Sequence, residues 1–140
     1  MHEQHPPDVR VPAPDLAPAE VVALHLDIFA PSPDTGGESP AGLPAAAVET
    51  AFRFASPAVR QRIGSPATLR SLLSSRLYQP LVGFERAATT PVEVSGDHAR
   101  QEVTVMTPDR AEAVFEFRLS RTDSGPSADC WLIDAVDRVA

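Results

Sequence analysis

Lysine is absent from this chain, and all 12 of its basic side chains are arginine. Set against 19 carboxylates, they leave a formal charge of −7. An acidic chain without a basic cluster lacks the electrostatic footprint of a nucleic-acid binder. It is equally unsuited to an anionic membrane surface. Cysteine is nearly absent: the single Cys130 excludes an intramolecular disulfide and any multi-cysteine metal centre. Long apolar runs are missing too, and none approaches the ~18–20 residues of a membrane span. The opening MHEQHPPDVRVPAPD lacks the basic and apolar regions of a secretory signal, so cytoplasmic residence is the expectation. There is no glycine-rich phosphate loop, no serine elbow and no metal-spaced His/Asp cluster. Neither a cofactor nor a metal is expected.

What is present is enough apolar sequence for one core. Hydrophobic residues make up 43% of the 140 positions, which fits a single globular domain. Residues 1–17 carry Pro6, Pro7, Pro12 and Pro14 among polar neighbours and read as a disordered tail, with His2 and His5 solvated. Residues 18–140 form the domain. Pro18 suits the first turn of a helix, and Val21, Leu24 and Ile28 then recur at helical spacing, widened by Val22, Leu26 and Phe29. Residues 30–44 hold four prolines and three glycines and predict a loop, long enough to cover a pocket mouth. A second helix is predicted over 45–55, with Val48, Ala51, Phe52 and Ala55 on one face and Phe54 pointing elsewhere. Ser56-Pro57 and Ser65-Pro66 each combine a favoured N-cap with a favoured first helical residue. They start a short helix ending at Gly64 and a longer one running to Tyr78, with Leu69, Leu72, Leu73 and Leu77 on its apolar face.

Beyond Pro80 the period changes to two. Strands are predicted over 81–88, 91–95, 99–106, 111–120 and 130–139. The clearest alternation sets Ala113, Phe115, Phe117 and Leu119 against Val114, Glu116, Arg118 and Ser120. Short connections imply an antiparallel meander. Helices first and strands after predict an α+β fold: N-terminal helices packed on one face of a strongly curved antiparallel sheet.

The pieces AFRFASP at 51–57, Gly-Ser-Pro at 64–66, LYQPLVG at 77–83 and CWLIDAV at 130–136 resemble the domain of unknown function 4864 family. That family is placed in the nuclear transport factor 2-like superfamily, and the likeness spans roughly residues 18–139. It implies a cone, with helices closing one end of a bent sheet around a pocket. The wider superfamily includes isomerases, dehydratases, epoxide hydrolases and non-catalytic binding domains, so the fold alone does not choose a function. No catalytic residues carry over.

Three residues are candidates for chemistry. His25 lies toward the apolar side of the first helix, where it is either a general base or a core histidine bonded to a backbone carbonyl. Tyr78 precedes the first strand and either polarises a ligand carbonyl or closes the core with its hydroxyl near water. Asp134 interrupts an apolar strand; strict alternation puts it with Cys130, Leu132 and Val136, opposite Trp131 and Ile133. Cys130 is expected to be an inert buried thiol, and His98 an exposed turn residue. Phe52, Tyr78, Phe115, Phe117 and Trp131 are the expected pocket lining. The expected function is non-catalytic binding of a small apolar or amphiphilic ligand, or an accessory role. The alternative is a cofactor-independent isomerase, dehydratase or hydrolase. A homodimer through the outer sheet face is the further expectation, with Val114 and Phe54 as its hints.

Overall fold

The computed structural model describes residues 11–30, 45–121 and 128–140. His2, His5, the loop over 31–44 and most of the polar loop before Cys130 lie outside the described residues.

Four helices precede five strands among the described residues. Helix α1 (Pro18–Phe29) begins with Pro18 in its first turn, where the Glu20 carboxylate accepts from the Ala17 N–H at 2.8 Å. Helix α2 (Ala45–Phe54) ends where Ala55 and Ser56 extend along the last strand, and the Ser56 N–H donates to the Ile133 carbonyl at 2.9 Å. Helix α3 (Pro57–Ile63) stops at Gly64, whose φ of 91° is one that glycine adopts freely. Helix α4 (Pro66–Leu73) is capped as expected: the Ser65 hydroxyl accepts from the Thr68 N–H. Ser56 behaves otherwise. Its hydroxyl is buried, caps nothing and has no partner among the described residues.

Helix α4 is shorter than expected. Ser74 donates its hydroxyl to the Arg70 carbonyl, and Ser75 begins a series of turns. Two successive serines compete for backbone partners and weaken the helix before Pro80 ends it. Leu77 therefore leaves the apolar stripe and is exposed, and a 3₁₀ turn over Gln79–Leu81 occupies what read as the start of a strand.

The sheet runs β1 (Arg86–Thr89), β3 (His98–Met106), β4 (Glu112–Ser120), β5 (Leu132–Arg138), with β2 (Glu93–Ser95) also paired to β3. All pairings are antiparallel. Strands β1 and β2 lie end to end along one edge of β3, separated at Thr90-Pro91-Val92, where proline cannot join the ladder. The inward row of β3 (Ala99, Gln101, Val103, Val105) meets that of β4 (Ala113, Phe115, Phe117, Leu119), as the alternation predicts.

Two expectations need correction. The sheet is not strongly curled. Strong curvature needs repeated bulges or glycine kinks. Here β3 and β4 pair over nine residues without interruption, and the described ladders carry one irregularity, opposite Arg118 and Leu119. The second concerns Phe54 and Phe52. Phe54 is fully buried and Phe52 only half-buried, because the α2 face turned inward runs through Ala47, Thr50, Ala51 and Phe54. Phe54 therefore belongs to the core and offers nothing to an outer interface.

Candidate functional site

The irregularity in β5 builds the site. Leu119 pairs with Ile133 and Arg118 with Ala135, so Asp134 is an extra residue opposite no partner. A bulge of this kind shifts the alternation by one. Ile133 and Val136, three apart, both come to lie opposite inward residues, Leu119 and Phe117. Strict alternation had separated them. Cys130 and Trp131 are both buried because they precede the strand and period two does not govern them.

Between this bulged strand and the helices lies a cavity of about 290 Å³. His25 and Phe29 of α1 and Ala51 of α2 line it, with Ala55 just beyond α2. Val59, Arg62 and Ile63 of α3, and Leu69, Leu72 and Leu73 of α4, form another part of the wall. Tyr78, Leu81 and residues 133–137 complete it. Helix α3 buries none of its residues, so this part of the wall is held by little packing of its own.

The three chemical candidates thus meet in one cavity. His25 is 3% exposed and packs edge-on to Phe29, Phe54 and Phe117, with ring centroids 5.5–6.4 Å away. Its Nδ1 lies 2.8 Å from the Val21 carbonyl. A carbonyl can only accept, so Nδ1 carries the proton and Nε2 is the bare acceptor. Burial among apolar rings lowers the His25 pKa from 6.5 to about 4, and the Val21 hydrogen bond opposes only part of that shift.

Tyr78 stacks on Phe115 at 6.2 Å, and its hydroxyl donates to the Val136 carbonyl at 2.8 Å. Its one proton is therefore committed to β5, and what it shows the cavity is a lone pair. Burial first, and the Asp137 carboxylate second, raise its pKa above the usual phenol value. Asp134 is half-buried and forms no ion pair among the described residues.

The aromatic residues expected to line the pocket divide differently. Tyr78 does line it. Phe115 and Phe117 are fully buried in the core behind it, Phe52 is half-buried off the wall, and Trp131 is buried under the Arg121 guanidinium, 4.9 Å from its ring centroid. The wall is mostly aliphatic instead. Sequence reading missed Val59, Ile63 and Leu69 as lining; their signal was a helical apolar stripe on two short helices that bury little. Cys130 is buried with its thiol pushed up, by burial foremost and then by the Asp129 and Asp15 charges. Such a thiol is a poor nucleophile. No cluster of metal-ligating side chains occurs among the described residues, and none of their helices is long and apolar enough to cross a membrane.

The outer sheet face is different in kind. Arg100 stands directly across from Arg118, and Glu116, nearly buried, bridges them at 3.5 and 3.0 Å. Glu93 holds Arg100 from the other side at 3.0 Å. The like-charged pair is tolerated because a carboxylate sits between its members.

The family model described as Domain of unknown function (DUF4864) matches residues 41–140, and the chain belongs to that family. No curated protein and no solved structure matches it.

Proposed function

Membership in a family without an assigned role leaves the site to carry the argument, and we propose that the protein binds a small apolar or amphiphilic molecule in the cavity beside β5 without transforming it. The carrying observation is a mostly aliphatic cavity with a few polar groups, the composition of a binding pocket. At about 290 Å³ it lies at the small end for such pockets, which favours a compact ligand. The position of the cavity between helices and sheet supports placing the fold with the nuclear transport factor 2-like domains, although this sheet is less curled than their cone. A single buried cysteine fits cytoplasmic residence.

Binding is tested with a cavity-filling variant. Ala51→Leu puts a larger side chain into the wall. Compact apolar ligands should raise the melting temperature of the native protein and leave Ala51→Leu unmoved. If no ligand raises it, or both proteins respond alike, the cavity is not a binding site.

A second reading, acid–base catalysis, is favoured by His25, Tyr78 and Asp134 sharing one cavity. It is the weaker of the two. A general base works best with a pKa near the operating pH, and burial holds His25 near 4. The Tyr78 hydroxyl already donates its hydrogen bond to the Val136 carbonyl. An NMR titration of His25 with a midpoint near 7 would reverse this ranking.

Pairing of two copies through the outer sheet face is proposed as a subordinate role. It would have to form over an ion-pair lattice, with Val114, half-buried opposite Thr104, as the apolar contribution. Sedimentation showing only monomer at high concentration would remove it.

A further inference from the structure

The polar groups of the cavity wall are unevenly divided between donors and acceptors. His25 is the most buried of them, and its only ring N–H is spent on the carbonyl of its own helix. Nε2 has no hydrogen-bond partner among the described residues, so an acceptor is left at a wall otherwise built of hydrocarbon. Tyr78 likewise has spent its proton and retains a lone pair. Asp134 and Asp137 add carboxylates, which accept and carry negative charge. Besides His25 and Tyr78, whose protons are already spent, Arg62 is the one donor side chain in this lining, and it is solvent-exposed.

Resting on the binding role above, we propose that the ligand of this cavity is an uncharged molecule with a compact apolar body and one hydroxyl, alcoholic or phenolic, donated to His25 Nε2. An acceptor without a protein partner, set among apolar rings at the cavity wall, gains a hydrogen bond when a ligand donates to it. A carboxylate ligand would set lone pair against lone pair at His25 and meet two like charges at Asp134 and Asp137. A cation would be drawn to the same Asp134 and Asp137, but to donate to Nε2 it would have to give up water for a neutral imidazole among three phenylalanine rings. A plain hydrocarbon would fill the space and leave Nε2 unpaired.

Phenol and toluene have nearly the same shape, so they separate the hydrogen bond from the filling of space; benzoate and benzylammonium supply the two charges. Affinities of all four for the full chain are measured at neutral pH by calorimetry or ligand-observed NMR, alongside His25→Leu. Phenol should bind more tightly than benzoate or benzylammonium. The phenol-to-toluene affinity ratio should fall about tenfold in His25→Leu, with toluene affinity kept or improved. In the native protein the ¹⁵N resonance of His25 Nε2 should move on adding phenol and stay in place with toluene, a readout that does not depend on the variant folding.

Charged probes binding as tightly as phenol, an unchanged ratio in a folded His25→Leu, or an Nε2 resonance indifferent to bound phenol would each overturn the proposal. In those cases the binding role itself would still stand on toluene. Failure of all four probes to bind would remove both.

Discussion

The cavity beside β5 and the outer face of the same sheet are separated by one strand, yet they handle polar groups in opposite ways. Outside, every charge in the lattice has a partner within the protein: Glu93 with Arg100, Arg100 with Glu116, Glu116 with Arg118. Inside, His25 Nε2 has none among the described residues. Asp134 borders both regions, since the bulge places it at the strand's turning point. A surface whose charges satisfy one another asks nothing of a ligand. An acceptor on an apolar cavity wall does, because no donor among the described residues meets it.

Breaking the inner region has the largest expected effect. Phe54→Ala removes a fully buried ring from the cage around His25 and should cost about 3–5 kcal/mol, read from urea unfolding. Acid attacks the same region through His25. Its pKa is about 4 in the folded chain against an ordinary 6.5. Between those values the unfolded chain holds the proton and the folded chain does not. The stabilisation is therefore complete above pH 6.5 and is lost as the pH falls toward 4, by on the order of 3 kcal/mol. Unfolding midpoints measured across that range should fall in the native protein and flatten in His25→Leu. An unaltered slope in the variant would mean that His25 is not buried and neutral.

Tyr78→Phe sharpens the boundary between the regions. It keeps the stacking on Phe115 and deletes the bond to Val136, so a loss of about 1 kcal/mol is expected. The smallest effect belongs to the outer face. Arg118 is more than half exposed, and Arg118→Ala should cost under about 1 kcal/mol, shrinking further in high salt. A larger loss there would erase the contrast between a self-paired surface lattice and an apolar cavity.

Much of the scaffold was legible in the residues. Val103, Val105, Phe115 and Phe117 announce an inward row by alternation alone, because a half-buried strand must place every second side chain on the core. Gly64 and Ser65-Pro66 mark a helix end and a helix start by local backbone chemistry. His25 was also legible, as a histidine on an apolar stripe. The lining was less so. Val59 and Ile63 sit on a helix that buries no residue, and such residues carry the same pattern whether they face a core, a cavity or solvent.

What the sequence determined by itself is local and periodic: α+β order, antiparallel pairing, turns, most of the core, and the absence of cysteine or phosphate-loop chemistry. What only the tertiary structure decided is where periodicity breaks. One unpaired residue, Asp134, shifts the last strand by a position and turns Val136 inward beside Ile133. That shift brings the Val136 carbonyl to where it accepts a hydrogen bond from the Tyr78 hydroxyl. Packing of α1, with its own Phe29, against Phe54 and Phe117 then decides that His25 is neutral and offers Nε2 alone. Desolvation is the sum of everything that surrounds a group, and no spacing along the chain encodes it.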